Sequence, residues 1–109
     1  MKITNVQAIA LKLPEISSAA DGTQDDLIIV VETDEGITGY GEVDTAPGVG
    51  KAVVDAYMSH GTCYGLREVV KGSDPFDYEQ IWNDMWAKTY YYGRSGPVMH
   101  VMSGIYMAI

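Results

Sequence analysis

The hydrophobic pattern of this chain changes period once, and that change limits the fold more than any other feature. Up to Asp44 apolar residues alternate with polar ones or fill both parities in short runs; from Pro47 onward they recur every three to four positions. A period of two belongs to strands and one of 3.6 to helices, so the sequence predicts strands first and helices after. Such segregation is α+β, not βαβ alternation. At 109 residues there is chain enough for one domain and too little for two well-packed ones.

The first strand is read over Lys2 to Leu13, with Ile3, Ile9, Leu11 and Leu13 on one parity and Val6, Ala8 and Ala10 on the other. Both faces are then covered, or a bulge near Asn5 shifts the phase. Pro14 ends the strand, and Glu15 to Gln24 has the Ser, Asp-Gly and Thr composition of a loop. Leu27-Ile28-Ile29-Val30-Val31 is apolar at both parities, which marks a central strand. Thr33-Asp34-Glu35-Gly36 signals a hairpin, with Gly36 free to take positive φ. The third strand, Ile37 to Asp44, carries Gly39 and Gly41 on one face. Two glycines at i and i+2 weaken a strand, so close approach of another backbone is predicted there.

In the helical half, Val49, Ala52, Val53, Ala56 and Tyr57 predict one buried stripe, with Pro47 in its first turn and Gly61 at its exit. Leu66 to Val70 predicts a short helix closed by Gly72. Asp77 and Gln80 fit a capping box ahead of a stripe of Tyr78, Ile81, Trp82, Met85, Trp86, Thr89 and Tyr90. Asp84 and Lys88 are spaced as an i,i+4 pair. Gly93 closes this helix, and Gly96-Pro97 opens a last one that is apolar nearly all round, so it is expected to run through the middle of the helices. From Pro97 to Ile109 there is no formally charged side chain. The pattern stops at Met107-Ala108-Ile109 without a glycine, a cationic last turn or a proline, and the expectation is an element that continues beyond it.

Fifteen acidic and seven basic side chains give a formal charge of −8. No cations cluster, so the positive footprint of a nucleic-acid binder is lacking. Cys63 is a lone cysteine, which excludes an intrachain disulfide and a CxxC pair. Without a signal-peptide run or ~18 consecutive apolar residues, the expectation is a soluble cytoplasmic domain with no membrane partner. His60 reads as a helix C-terminal cation and His100 as a packed, hydrogen-bonded core histidine. Neither sits in an HxxxH or ExxH spacing that would ligate a metal. Asp25-Asp26 and Asp74/Asp77 read as solvated or capping carboxylates, and Ser17-Ser18 lacks a base. Gly36, Gly39 and Gly41 are spaced GxxGxG, but inside a strand and not at a strand-to-helix turn, so they do not make a dinucleotide loop. Tyr90-Tyr91-Tyr92 reads as core plus interface. These residues alone provide no self-sufficient active site.

Four segments in order carry a resemblance. Val30 to Glu42 (VVETDEGITGYGE), the opening Met1-Lys2-Ile3, Val70-Lys71-Gly72-Ser73-Asp74-Pro75-Phe76-Asp77, and Gly93-Arg94-Ser95-Gly96 followed by Ser103-Gly104-Ile105 resemble the amino-terminal capping domain of the mandelate racemase/muconate cycloisomerase branch of the enolase superfamily. Tyr106 stands where that family often has aspartate. The resemblance implies a three-stranded antiparallel meander followed by three to four helices, spanning 1–109 and placed over a (β/α) barrel that follows in sequence. It also implies that the barrel holds Mg²⁺ and the bases that take a proton α to a carboxylate. No catalytic or metal-binding residue is then expected in this chain, which would be inactive alone. Two loops, Pro14 to Asp25 and Asp44 to Lys51, would close over the barrel mouth and set substrate choice. The capping residues so implied are Ile16, Ser17, Ser18, Asp21, Thr23, Thr45, Pro47 and Val49. The partners implied are a small carboxylate or acid-sugar substrate, in a racemase or dehydratase, and further copies in a homo-oligomer. The competing expectation is a freestanding binding or oligomerisation module using its Tyr, Trp and Met side chains as an interface.

Overall fold

The computed structural model describes residues 1–109. Three strands, β1 (Ile3–Lys12), β2 (Asp25–Thr33) and β3 (Thr38–Val43), form an antiparallel meander in the order β1-β2-β3. Four helices follow: α1 (Pro47–Asp55), α2 (Leu66–Val70), α3 (Tyr78–Lys88) and α4 (Pro97–Ala108), with a 3₁₀ turn at Tyr90–Tyr92 before α4. The helices cover one face of the sheet, as segregated α+β chains do. No helix is long and apolar enough to cross a membrane.

The phase shift near Asn5 is a bulge: the β1–β2 register slips between Ile3 and Asn5. It brings Ile3 onto the same face as Val6 and Ala8, all three buried, and leaves Ile9 and Leu11 on the outer face. In β2, Leu27, Ile29 and Val31 are fully buried and Ile28 and Val30 half-buried, as befits the middle strand. The Gly36 turn has φ 79°.

Gly39 and Gly41 face the backbone of α4. A Cβ at Gly39 would collide with the Ala108 carbonyl oxygen, and one at Gly41 with that of Gly104. On the other side, Gly104 receives the Val43 side chain. This contact seats α4 directly on β3, its apolar face formed by Val98, Val101, Met102, Ile105 and Ala108. The helix lies on the sheet and packs against both α1 and α3, but it is not buried all round, because His100, Ser103, Tyr106 and Met107 face outward.

The helical details depart from the sequence pattern in five places. α1 ends at Asp55, well short of Gly61, and buries Pro47, Gly50 and Val54; Val49 and Tyr57 are exposed. The face is chosen by Gly50, whose missing Cβ makes room for Leu27, Thr45 and Val101. No side chain caps α3: Gln80 donates to Asp84 at 2.8 Å, and the nearby turn is made by Asp74, which accepts from the Phe76 N–H at 3.0 Å. Asp84 is thus not paired with Lys88, which lies 5.0 Å from the Tyr64 ring centroid. Only Ile81 and Met85 of the α3 stripe are buried inside the helix, with Thr89 just past it donating to the Met85 carbonyl at 2.7 Å. His60 caps no helix; it pairs with Cys63 in an isolated bridge and meets Tyr91 edge to face at 4.6 Å.

The outer edge of β1 is tied to the helices by cations. Lys51 donates to the Ala8 carbonyl at 2.9 Å and Arg67 to that of Val6 at 2.7 Å, and Asp55 accepts from both side chains. Capping exposed edge carbonyls this way blocks strand addition by another chain.

Candidate functional site at the loop end of the sheet

The antiparallel register decides what meets at this end. Because Leu27 pairs with Val43 and Lys12 with Asp25, the β1–β2 loop and the β3–α1 connection emerge side by side. Between them lies an open cavity of about 520 Å³. The first loop and its flanks contribute Lys12, Leu13, Thr23 and Gln24, and the end of β3 contributes Glu42, Asp44 and Thr45.

The β1–β2 loop is built around Gln24. Its Oε1 accepts from the Ser17 N–H at 2.8 Å and the Ser17 hydroxyl at 3.2 Å, and its Nε2 donates to the Ala19 carbonyl at 3.3 Å. Leu13 N–H donates to the Gln24 carbonyl at 2.8 Å, closing the loop at its base. Asp21 accepts from the Thr23 N–H at 2.9 Å, which holds its carboxyl below the ordinary value. The loop is a shaped unit with its own polar framework, in the manner of compact surface loops.

Of the capping residues expected from sequence, Thr23 and Thr45 line the cavity. Ser17 is engaged by Gln24, and Ile16, Ser18 and Asp21 are exposed on the loop outside the cavity lining. Pro47 is buried in the first turn of α1, and Val49 is exposed on that helix. The cavity also gathers Asp25, Asp26, Glu42 and Asp44, four carboxylates against the one ammonium of Lys12. Asp26 is turned back to accept from the Leu27 N–H at 2.8 Å. No three His, Cys, Asp or Glu side chains converge as a metal centre. Such a wall offers acceptors to hydroxyl groups and repels a carboxylate brought against it.

Glu42 and Asp44 carried no signal of their own in the sequence, and His100, expected to be packed in the core and hydrogen-bonded, keeps the hydrogen bond but lies on the outward side of α4. Glu42 and Asp44 show only as the outward parity of β3. His100 is exposed and sets its Nδ1 3.1 Å from the Thr45 hydroxyl, 55 positions away in the chain.

No family model matches the chain. Over 83 residues, 76% of its length, it is 34% identical to an L-rhamnonate dehydratase of Saccharopolyspora erythraea, of which it covers 19%. Among solved structures, one described as a predicted mandelate racemase from Rhodobacter sphaeroides matches with a TM-score of 0.84 and 32% identity, covering 98% of this chain and 27% of that one. A racemase from Streptomyces coelicolor A3(2) with bound magnesium matches with a TM-score of 0.70 and 27% identity, covering 97% of this chain and 30% of that one. The chain thus spans 19% to 30% of the length of these proteins, corresponding to their N-terminal part.

Proposed function

We propose that this chain, an amino-terminal domain of the mandelate racemase/muconate cycloisomerase branch of the enolase superfamily, is the substrate-capping and specificity element of a larger enzyme acting on a hydroxylated carboxylate. The observation that carries this reading is the convergence of the β1–β2 loop and the β3–α1 connection on one cavity. Two loops at one sheet end can close over a ligand held by a second body, exclude water and sort substrates by their hydroxyl pattern.

The acidic wall orients the substrate. Its acceptors suit the polyol end of an acid sugar, and the substrate carboxylate points away from Asp25, Glu42 and Asp44. That end is bound by the rest of the enzyme, a (β/α) barrel in this proposal. Magnesium, when bound there, supplies positive charge to the anion that develops as a proton leaves the carbon α to a carboxylate. The residues of this chain position and enclose, and take no proton. With one free cysteine, the chain suits a reducing cytoplasm.

A chimera tests the proposal. Residues 1–109 replace the corresponding segment of the Saccharopolyspora dehydratase, and acid sugars are screened with magnesium supplied. Turnover with an altered substrate order is expected, and Thr45→Val should raise KM about three- to tenfold with a smaller change in kcat, the loss of one hydrogen bond. A folded, active chimera whose substrate order ignores both loops would favour the other reading, a module whose aromatic surface serves assembly.

A further inference from the structure

We propose that His100 is a positioning residue that sets whether Thr45 presents a donor or an acceptor to a ligand in the loop-end cavity. Thr45 lines that cavity. Its methyl is fixed, because Cγ2 packs into the space left by the missing Cβ of Gly50. Its hydroxyl makes one hydrogen bond within the chain, to His100 Nδ1 at 3.1 Å.

A hydroxyl owns one proton and two lone pairs. When Nδ1 carries a lone pair, Thr45 must spend its proton on the ring, and only its lone pairs are left for the cavity. When the ring is an imidazolium, both nitrogens carry protons, Nδ1–H donates to Thr45, and the threonine proton is free to turn outward. The same geometry therefore offers an acceptor when the neutral ring carries its proton on Nε2 and a donor when Nδ1 is protonated, as it always is in the charged ring. His100 is solvent-exposed, so its proton exchanges with bulk water, and imidazole changes charge within about pH 5–8.

The charged groups on the elements packed against α4 leave this choice to the ring. Glu42 and Asp44 sit on the strand end that carries Thr45, and Asp26 of β2 is bonded to its own strand. On α1, Lys51 and Asp55 are paired with each other. On α3, Asp84 is bonded to Gln80 and Glu79 lies by Tyr106. None forms an ion pair with His100. With the neutral ring protonated on Nε2, Thr45 joins Glu42 and Asp44 as an acceptor, and the wall selects hydroxyl-rich ligands; with a charged ring it gains one donor. The ligand side of this statement rests on the capping reading, whereas the hydrogen-bond polarity does not.

The test is NMR of this chain from pH 5 to 8, comparing it with His100→Gln and His100→Ala. Glutamine can donate or accept but cannot titrate. In the unaltered chain the Thr45 side-chain signals should follow the His100 ring nitrogens along one titration curve. His100→Gln should remove that dependence while keeping exchange of the Gly50 amide, bonded to the Ala46 carbonyl, within about twofold. His100→Ala should speed that exchange about five- to tenfold. Thr45 signals that stay flat while the ring titrates, or a Gly50 amide equally indifferent to both substitutions, would overturn the proposal. No second domain or ligand is needed, so failure here leaves the capping reading intact, and an inactive chimera leaves this polarity measurable.

Discussion

At Gly41 the absence of a side chain is what lets α4 rest on β3. A methyl there would overlap the Gly104 carbonyl, and neither partner is a flexible side-chain end that could swing away. Gly41→Ala should cost about 3 kcal/mol and lower Tm by roughly 12–20 °C in a thermal melt. Gly48→Ala is the matched control: the residue is exposed in α1 with open space where a Cβ would go, so about 0.5 kcal/mol of stabilisation is expected from helix propensity. Equal effects at the two positions would show that α4 does not depend on the close approach. Tyr92 supplies a second residue-scale test. It is half-buried against the core, and burial, followed by the neighbouring Cys63 thiol, pushes its phenol from 10.0 up to about 12. Between those values the unfolded chain has lost the proton and the folded chain has kept it, so the slope of stability with pH is negative. The contribution is complete below about pH 10 and is lost as pH rises through 12. Denaturant melts of Tyr92→Phe should therefore show a shallower decline over that interval than the unaltered chain; identical slopes would place the alkaline transition elsewhere.

The elements were legible in sequence wherever their cause was local. The change of period placed three strands before the helices, Asp34-Glu35-Gly36 placed the hairpin, and the glycine pair announced a close backbone partner without saying that it was α4. What the sequence hid depended on distant residues. The buried face of α1 is set by Leu27 and Val101 meeting Gly50, which no local periodicity contains. The α3 cap is a local exception: the Asp74 turn holds Asp77 at φ −86°, ψ 42°, away from the extended conformation a capping residue adopts. The site was legible as two loops and not as a cavity, because only strand register brings residues 22–26 beside 42–45. Within the first loop, Gln24 is the element's organiser, with three hydrogen bonds of 2.8–3.3 Å to Ser17 and Ala19. Gln24→Ala should speed exchange of the Ser17 amide about tenfold, the loss of one to two net hydrogen bonds, with a Tm change of under about 3 °C because the loop lies outside the core. A large fall in Tm would instead tie the loop into the folding unit of the sheet.

For the whole molecule the open question of partners falls on the sheet face that the helices leave bare. Register places Ile9 beside Ile28 and Val30 beside Tyr40 on that face, with Ile9 41%, Leu11 50% and Tyr40 66% exposed. A contiguous apolar surface of this kind favours association, while a formal charge of −8 opposes bringing two copies together. The two terms respond differently to salt: at low ionic strength the repulsion is long-ranged, and at about 0.15 M it is screened within about 8 Å while the apolar term persists. Sedimentation velocity should accordingly show association that strengthens as salt is added, the opposite of what a contact held by ion pairs would do. Ile9→Lys combined with Tyr40→Lys should abolish it with about 1 kcal/mol or less of stability lost, since both side chains are already solvated. If the double variant associates as strongly as the unaltered chain, the contact lies on another surface, and the Trp82 and Tyr106 side of α3 and α4 becomes the next to substitute.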